Sequence, residues 1–188
     1  MVSRQWRHLW KHLTLTCPYL VFDIPNIFRG KYNQLVVENE GKNSFPILVR
    51  RFSRQCYIKR VNEFLELYSG KKVDSFKVAF FLDGECTEDI DKWVRFAITK
   101  GVEVLNLQLF RGIFESDDNL HVFPHWILSE LNSSTLKQLS LHRCLLKPPT
   151  DFNLFCHLTT LCLSNVVVDS VFFWHIYSLL VCSLKASP

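Results

Sequence analysis

The residues best equipped for chemistry are His142, Cys144, Cys156, His157 and Cys162. Imidazoles and thiolates are the usual ligands of zinc, which needs four of them converging on one point and usually takes them from closely spaced pairs. His142 and Cys144 stand two apart, so a continuous strand would carry both on one face. No C-x-x-C occurs, and the seven cysteines are an odd number. Cys144 also has a place in a repeat described below, as a small core residue. The expectation is free thiols in a reducing compartment, with no metal and no cofactor. Asp89 and Asp91 could be paired carboxylates, but they follow Thr87 and Glu88 at a helix start. There a hydroxyl cap and acids against the positive dipole end are the better use of them. The chain has no G-x-S-x-G, no P-loop and no H-E-x-x-H, and only 6 glycines in all. The protein is therefore not expected to be an enzyme.

Two bulk properties narrow the alternatives. Apolar residues make up 48% of the 188, with 16 Phe and 5 Trp, so there is ample surface for a single core. The charge is asymmetric: residues 1–60 hold 11 Lys and Arg against 3 Asp and Glu, and the remainder 11 against 15. The basic residues of the first part are scattered as Arg4, Arg7, Lys11, Arg29, Lys31, Arg50, Arg51 and Arg54. That reads as a solvated helix face and linker, not as a nucleic-acid or membrane surface. No secretory signal is expected near residues 1–30, because the same charges interrupt any apolar stretch. Val171–Cys182 falls short of the roughly 20 residues a membrane span needs.

The elements that must position any site follow from periodicity. Trp6, Leu9, Trp10 and Leu13 form a helical stripe that Cys17-Pro18 ends. Residues 17–47 read as a linker rich in Gly, Asn and Ser. Ile58, Val61, Phe64, Leu65 and Tyr68 predict a helix over 48–68 with a basic outer side that includes Arg54. Ile90, Trp93, Ala97 and Ile98 predict another over 88–100, closed by Lys100-Gly101.

Four segments share an apolar-x-x-apolar-x-apolar core. They are Val73-x-x-Phe76-x-Val78, Val102-x-x-Leu105-x-Leu107, Leu136-x-x-Leu139-x-Leu141 and Leu158-x-x-Leu161-x-Leu163. Their starts lie 29, 34 and 22 residues apart, and the last two continue to Cys144 and Val166. The final pair of each core puts two side chains on one face of a short strand, and no single unit can bury that face alone. The fold class expected is α/β: parallel strands near 76–80, 103–108, 137–142 and 159–163, stacked as an irregular leucine-rich-repeat solenoid. The strand positions left outward are Asn106, Gln108, Ser140, His142, Cys162 and Ser164. Such positions line the concave face on which solenoids hold partners, so these six are the candidate target-binding residues. Val171 to Leu180 follow the last repeat with nothing after them to cover their apolar side chains, which predicts poor solubility.

The segment V-S-R-Q-W-R-H-L-W resembles the end of the F-box in large plant families that read L-S-(K/R)-(K/R)-W-R-x-L-W. Farther on, I-K-R-V-N-E-F-L-E-L, V-D-S-F-K-V, I-D-K-W-V-R-F-A-I, V-E-V-L-N-L, F-P-H-W-I-L, S-S-T-L-K-Q-L-S-L-H-R-C and L-T-T-L-C-L-S-N-V are similar, in order, to the region after the F-box in FBD-like F-box proteins. The resemblance implies three regions: the last helix of an all-α F-box at 1–16, a linker at 17–47, and leucine-rich repeats at 48–188. It implies a substrate-recognition subunit of an SCF-type ubiquitin ligase, in the nucleus or cytoplasm. The F-box would hold a Skp-type adaptor and through it a cullin, with Trp6, Leu9 and Trp10 as candidate adaptor contacts, and the repeats would hold a target protein. Against that family the chain lacks the L-P-x-x-(L/I) helices and ends V-C-S-L-K-A-S-P before a further strand. The alternative is an interaction module outside any ligase, or the product of a decaying or mis-assembled gene.

Overall fold

A computed structural model describes residues 15–28, 45–110, 119–131, 133–149 and 154–168. Trp6, Leu9 and Trp10, Leu13, and Val171 to Leu180 lie outside them. Five strands form one sheet in the order β1 (Tyr19–Phe22), β2 (Ser75–Phe80), β3 (Val104–Leu109), β4 (Gln138–His142) and β6 (Thr160–Ser164). Every neighbouring pair is parallel. The registers align Phe76 with Leu105, Leu105 with Leu139 and Leu139 with Leu161, so the repeated apolar cores stack on one another. β5 (Leu145–Leu146) and β7 (Val167–Val168) pair in parallel as a second, two-stranded ribbon.

The repeat also shows in the backbone. The Pro18 carbonyl accepts the amides of Asp74 and Ser75, and the Asp74 carbonyl those of Glu103 and Val104. Glu103 then serves Lys137 and Gln138, and Lys137 serves Thr159 and Thr160. Each repeat thus fixes the start of the next strand by two hydrogen bonds to one oxygen, which satisfies donors that would otherwise be orphaned beside the sheet.

Helices close one face of the sheet. They are α1 (Ile24–Phe28), α2 (Phe45–Leu67), α3 (Thr87–Thr99) and α4 (His125–Glu130), followed by a 3-10 turn at Leu154–His157. From α2 onward the described helical pieces shorten along the chain, and the burial of the sheet falls with them: Leu105, Leu139 and Phe76 are buried, whereas Leu161 and Leu163 are only partly so. Ile90, Trp93, Val94, Ala97 and Ile98 are the buried stripe of α3. Gly101 follows at φ 71, the left-handed conformation that lets the chain leave the helix without a Cβ penalty. Tyr57 stacks on Phe80 with ring centroids 4.1 Å apart, meets Trp93 edge-on, and donates its hydroxyl to the Phe22 carbonyl at 2.7 Å. One side chain thereby joins β1, β2, α2 and α3.

Three details depart from the sequence reading. The first strand, β1, falls inside residues 17–47, where a linker was expected, with Leu20 and Phe22 buried and Tyr19 and Val21 outward. Arg54 does not join the basic outer side of α2. It is 8% exposed, because Asp83 holds its guanidinium in two hydrogen bonds, 2.8 and 3.3 Å, and the Phe81 carbonyl takes its Nε. Thr87 caps nothing by accepting; its hydroxyl donates back to the Gly84 carbonyl at 2.9 Å. Asp83 does the capping, one turn earlier, by accepting the Glu85 amide.

Cys144 takes the core place that the repeat gives it. The strand alternation that would put it beside His142 is broken by Arg143, which has φ 56. The chain turns there, and Cys144 enters the core at 2% exposure, where burial pushes its thiol up to about 12. Asn165, one repeat later, has φ 57 and turns the chain the same way. Asn is among the few residues that accept this conformation readily. Asn165→Val should therefore destabilise by about 1–2 kcal/mol, while Asn165→Gly should be neutral or gain a few tenths. Urea melts of the two variants would show it, and equal midpoints would mean that the turn carries no strain.

Candidate functional site

The period of two along each strand sorts the side chains into an inner face against the helices and an outer, open face. In β3 the pattern is strict: Leu105, Leu107 and Leu109 are buried, and Val104, Asn106 and Gln108 are half-exposed. β4 buries Leu139 and Leu141 and leaves Ser140 and His142 outward. In β6, Thr160, Cys162 and Ser164 are exposed. The registers turn these into rows. Asn106 stands beside Ser140, and Ser140 beside Cys162; Gln108 stands beside His142, and His142 beside Ser164. All six candidate target-binding residues thus fall in one block, two rows deep and three strands wide.

Period-2 reasoning stopped short of the block's full surroundings. β2 adds Lys77 beside Asn106 and Ala79 beside Gln108. Just past the strand ends, Phe81 and Phe110 lie 5.9 Å apart by ring centroids, and Phe110 lies 6.0 Å from the His142 imidazole. Both phenylalanines occupy the next outward position of their strands, so the alternation that selects Asn106 and Gln108 would also have selected them. On the β1 side the face continues with Tyr19, 64% exposed, and Val21.

The chemistry of this face is that of contact. His142 Nδ1 lies 3.2 Å from the Leu109 carbonyl, an acceptor only, so Nδ1 is the donor in that contact. The Asn106 Oδ1 is buried and accepts no hydrogen bond. Among the outward strand positions of the described residues Lys77 is the one formal charge, and no carboxylate occurs. Acids and bases gather instead at the N-terminal rim. There Lys72 contacts Asp74 at 2.8 Å and Glu103 at 2.7 Å, and Lys137 meets Glu103 at 2.7 Å. Hydrogen bonds from Lys137 and Lys72 hold the Glu103 carboxyl down at about 2.

One internal arrangement brings together catalytic residue types. Thr87 Oγ1 is 3.2 Å from His121 Nδ1, and His121 Nε2 is 3.7 Å from Asp91 Oδ1. His121 is 0% exposed, and desolvation lowers its pKa to about 4, so the imidazole is neutral at physiological pH. Desolvation raises the Asp91 carboxyl to about 6, against a weaker opposing pull from Arg95. The threonine proton is already given to the Gly84 carbonyl, and the His121 ring is fully enclosed. The Thr87–His121 contact ties the start of α3 to the segment entering α4. His142 and Cys162 share the open face while Cys144 is buried beneath it, and among the described residues no three His, Cys, Asp or Glu side chains converge as a metal site. Among the same residues no helix is long and apolar enough to cross a membrane.

The family model described as "At1g61320/AtMIF1, LRR domain" matches residues 64–184, which takes in every strand from β2 to β7. No curated protein and no solved structure matches the chain. A leucine-rich-repeat domain of this kind is a protein-interaction fold. With its stacked parallel strands and the match over most of its length, the chain belongs to the plant At1g61320/AtMIF1 leucine-rich-repeat family.

Proposed function

We propose that the protein holds a partner protein on the open face of its sheet, and that it does so as the substrate-recognition subunit of an SCF-type ubiquitin ligase. The observation that carries the first part is the continuous block formed by Asn106, Gln108, Ser140, His142, Cys162 and Ser164, edged by Phe81 and Phe110. Such a block offers polar groups at the roughly 4.8 Å spacing of neighbouring strands, with aromatic anchors alongside. The ligase role rests on the resemblance of residues 1–16 to the closing helix of an F-box and of the later segments to FBD-like proteins. In that reading residues 17–47, which carry β1 and α1, lead from the F-box-like helix into the repeats over 48–188. Trp6, Leu9 and Trp10 would face a Skp-type adaptor that bridges to a cullin, in nucleus or cytoplasm. The protein would make no covalent bond itself and would need no cofactor. Its contribution is the effective concentration of a target lysine near a ubiquitin-charged partner.

Adaptor binding separates this role from an interaction module outside any ligase. Stable interfaces bury at least about 1,000 Å², and a helix of a dozen residues spans only about 18 Å. Residues 1–16 alone should therefore hold the adaptor weakly, with a dissociation constant above about 10 μM. A version carrying a complete F-box, titrated beside it by calorimetry, should bind far more tightly. Sub-micromolar binding by this chain would show that the remaining F-box helices are dispensable. No binding by either version would remove the ligase role.

A further inference from the structure

A partner that covers the row of Asn106, Ser140 and Cys162 also reaches Lys77. The register puts Lys77 in that same row, between Val21 on β1 and Asn106 on β3. Lys77 is half-exposed, and among the described residues its ammonium makes no ion pair. The acids of the rim are engaged elsewhere, Asp74 with Lys72 and Glu103 with Lys72 and Lys137. Asp23, one step past the end of β1, accepts the Asn26 amide at 2.9 Å. The other outward strand positions carry no carboxylate. An ammonium covered there without a counter-charge gives up its hydration for nothing in return, and that penalty weighs heavily against docking. The counter-charge has to arrive with the partner.

We propose that the partner presents an Asp or Glu carboxylate to Lys77, together with an apolar side chain that packs on Phe81 and Phe110. The inference rests on the reading of the open face as the partner-binding surface, and adds the chemistry the partner must bring. A carboxylate suits the place better than a phosphate. One ammonium balances one negative charge, whereas a phosphorylated side chain carries about −1.5 to −2 and is commonly met by clustered arginines. Among the outward strand positions of the described residues no arginine occurs. The half-exposed rings of Phe81 and Phe110, 5.9 Å apart, supply the apolar contact. Phe81 follows Lys77 by four residues, about 13 Å at roughly 3.3 Å each. An extended partner segment therefore carries its acidic and its apolar residue about four positions apart.

Displayed random peptides of about a dozen residues, panned on the full chain, test the proposal. Only peptides that lose binding to Ser140→Trp are kept, because that variant blocks the face with bulk and adds no charge. This sets aside peptides held by the scattered basic residues elsewhere. The retained peptides should be enriched in Asp or Glu, with an apolar residue about four positions away. Titrated singly, they should bind Lys77→Met about 30-fold or more weakly, the effect of leaving one covered charge unpaired. Exchanging their acidic residue for Lys should abolish binding to the unaltered chain and restore it to Lys77→Glu. Lys77 points away from the core, so the unfolding midpoints of these variants should agree with that of the unaltered chain. Retained peptides without acidic residues, or with undiminished affinity for Lys77→Met, would overturn the carboxylate and leave the open face its role. If Ser140→Trp weakens no selected peptide, the open-face reading fails and this inference with it.

Discussion

Asp83→Ala should destabilise the protein by about 3–5 kcal/mol, because it strands a buried charge. The Arg54 and Asp83 side chains are 10% and 9% exposed, and their two hydrogen bonds join the middle of α2 to the turn after β2. Without the carboxylate, the guanidinium keeps the Phe81 carbonyl and Glu85, whose own side chain is 63% exposed and well solvated. Most of the cost is desolvation left uncompensated, not the attraction lost. Arg54→Met/Asp83→Ala should therefore be less harmful than Asp83→Ala alone, since it removes both charges and fills the volume. Asp83→Asn should fall between, keeping an acceptor for the Glu85 amide. Guanidinium melts of the three variants decide it. A loss below about 1 kcal/mol for Asp83→Ala would mean that the guanidinium finds water on its own.

Trp93→Ala should cost a similar amount, about 3–5 kcal/mol, for a different reason. Trp93 is 1% exposed and lies edge-on to Tyr57, which in turn stacks on Phe80, so its removal opens a cavity where α2, α3 and β2 meet. Its indole N–H also donates to Asn62 Oδ1 at 2.6 Å, and Asn62 passes a hydrogen bond on to Asp89 at 2.9 Å. Trp93→Phe keeps most of the volume but leaves the Asn62 oxygen without its donor, for a loss of about 1–2 kcal/mol. Restoring balance with Asn62→Leu in the Trp93→Phe background should recover part of that loss. Thermal unfolding of the series separates cavity from hydrogen bond, and equal losses for the Ala and Phe variants would contradict the cavity argument.

The repeat carried most of the fold in plain view. An L-x-L pair commits two side chains to one face, and three parallel registers follow once those faces must cover one another. That is why β2, β3, β4 and β6 stand within a residue or so of expectation, and why α3 begins at Thr87 and ends before Gly101. β1 escaped because 56 residues and two helices separate Cys17 from Val73, so no regular period points back to it. Arg54 escaped because its partner is 29 residues away, and a helical wheel sees only its own helix. Cys144 was legible as a core residue from its place in the repeat, and one residue of positive φ, Arg143, is what turns it inward. The open face was legible because Asn106, Gln108, Ser140, His142, Cys162 and Ser164 sit inside strands, where alternation holds. Phe81 and Phe110 continue the same alternation one step past the strand ends, and only their contact with each other had no signal in the repeat.

The central claim is that the open face holds a partner protein. Affinity purification from plant extract supplies the partner, and titration of the purified partner against three chains supplies the test. They are the unaltered protein, Gln108→Arg/Ser140→Arg on the open face, and Glu63→Arg on the exposed side of α2. The paired arginines place bulk and charge at the centre of the block without touching the core, so the unfolding midpoint should not move. Partner affinity should nevertheless fall at least about 100-fold for the open-face variant, as loss of a central contact region does, and stay level for Glu63→Arg. Undiminished binding by the open-face variant, or loss confined to Glu63→Arg, would contradict the assignment and move the interaction to the helical side.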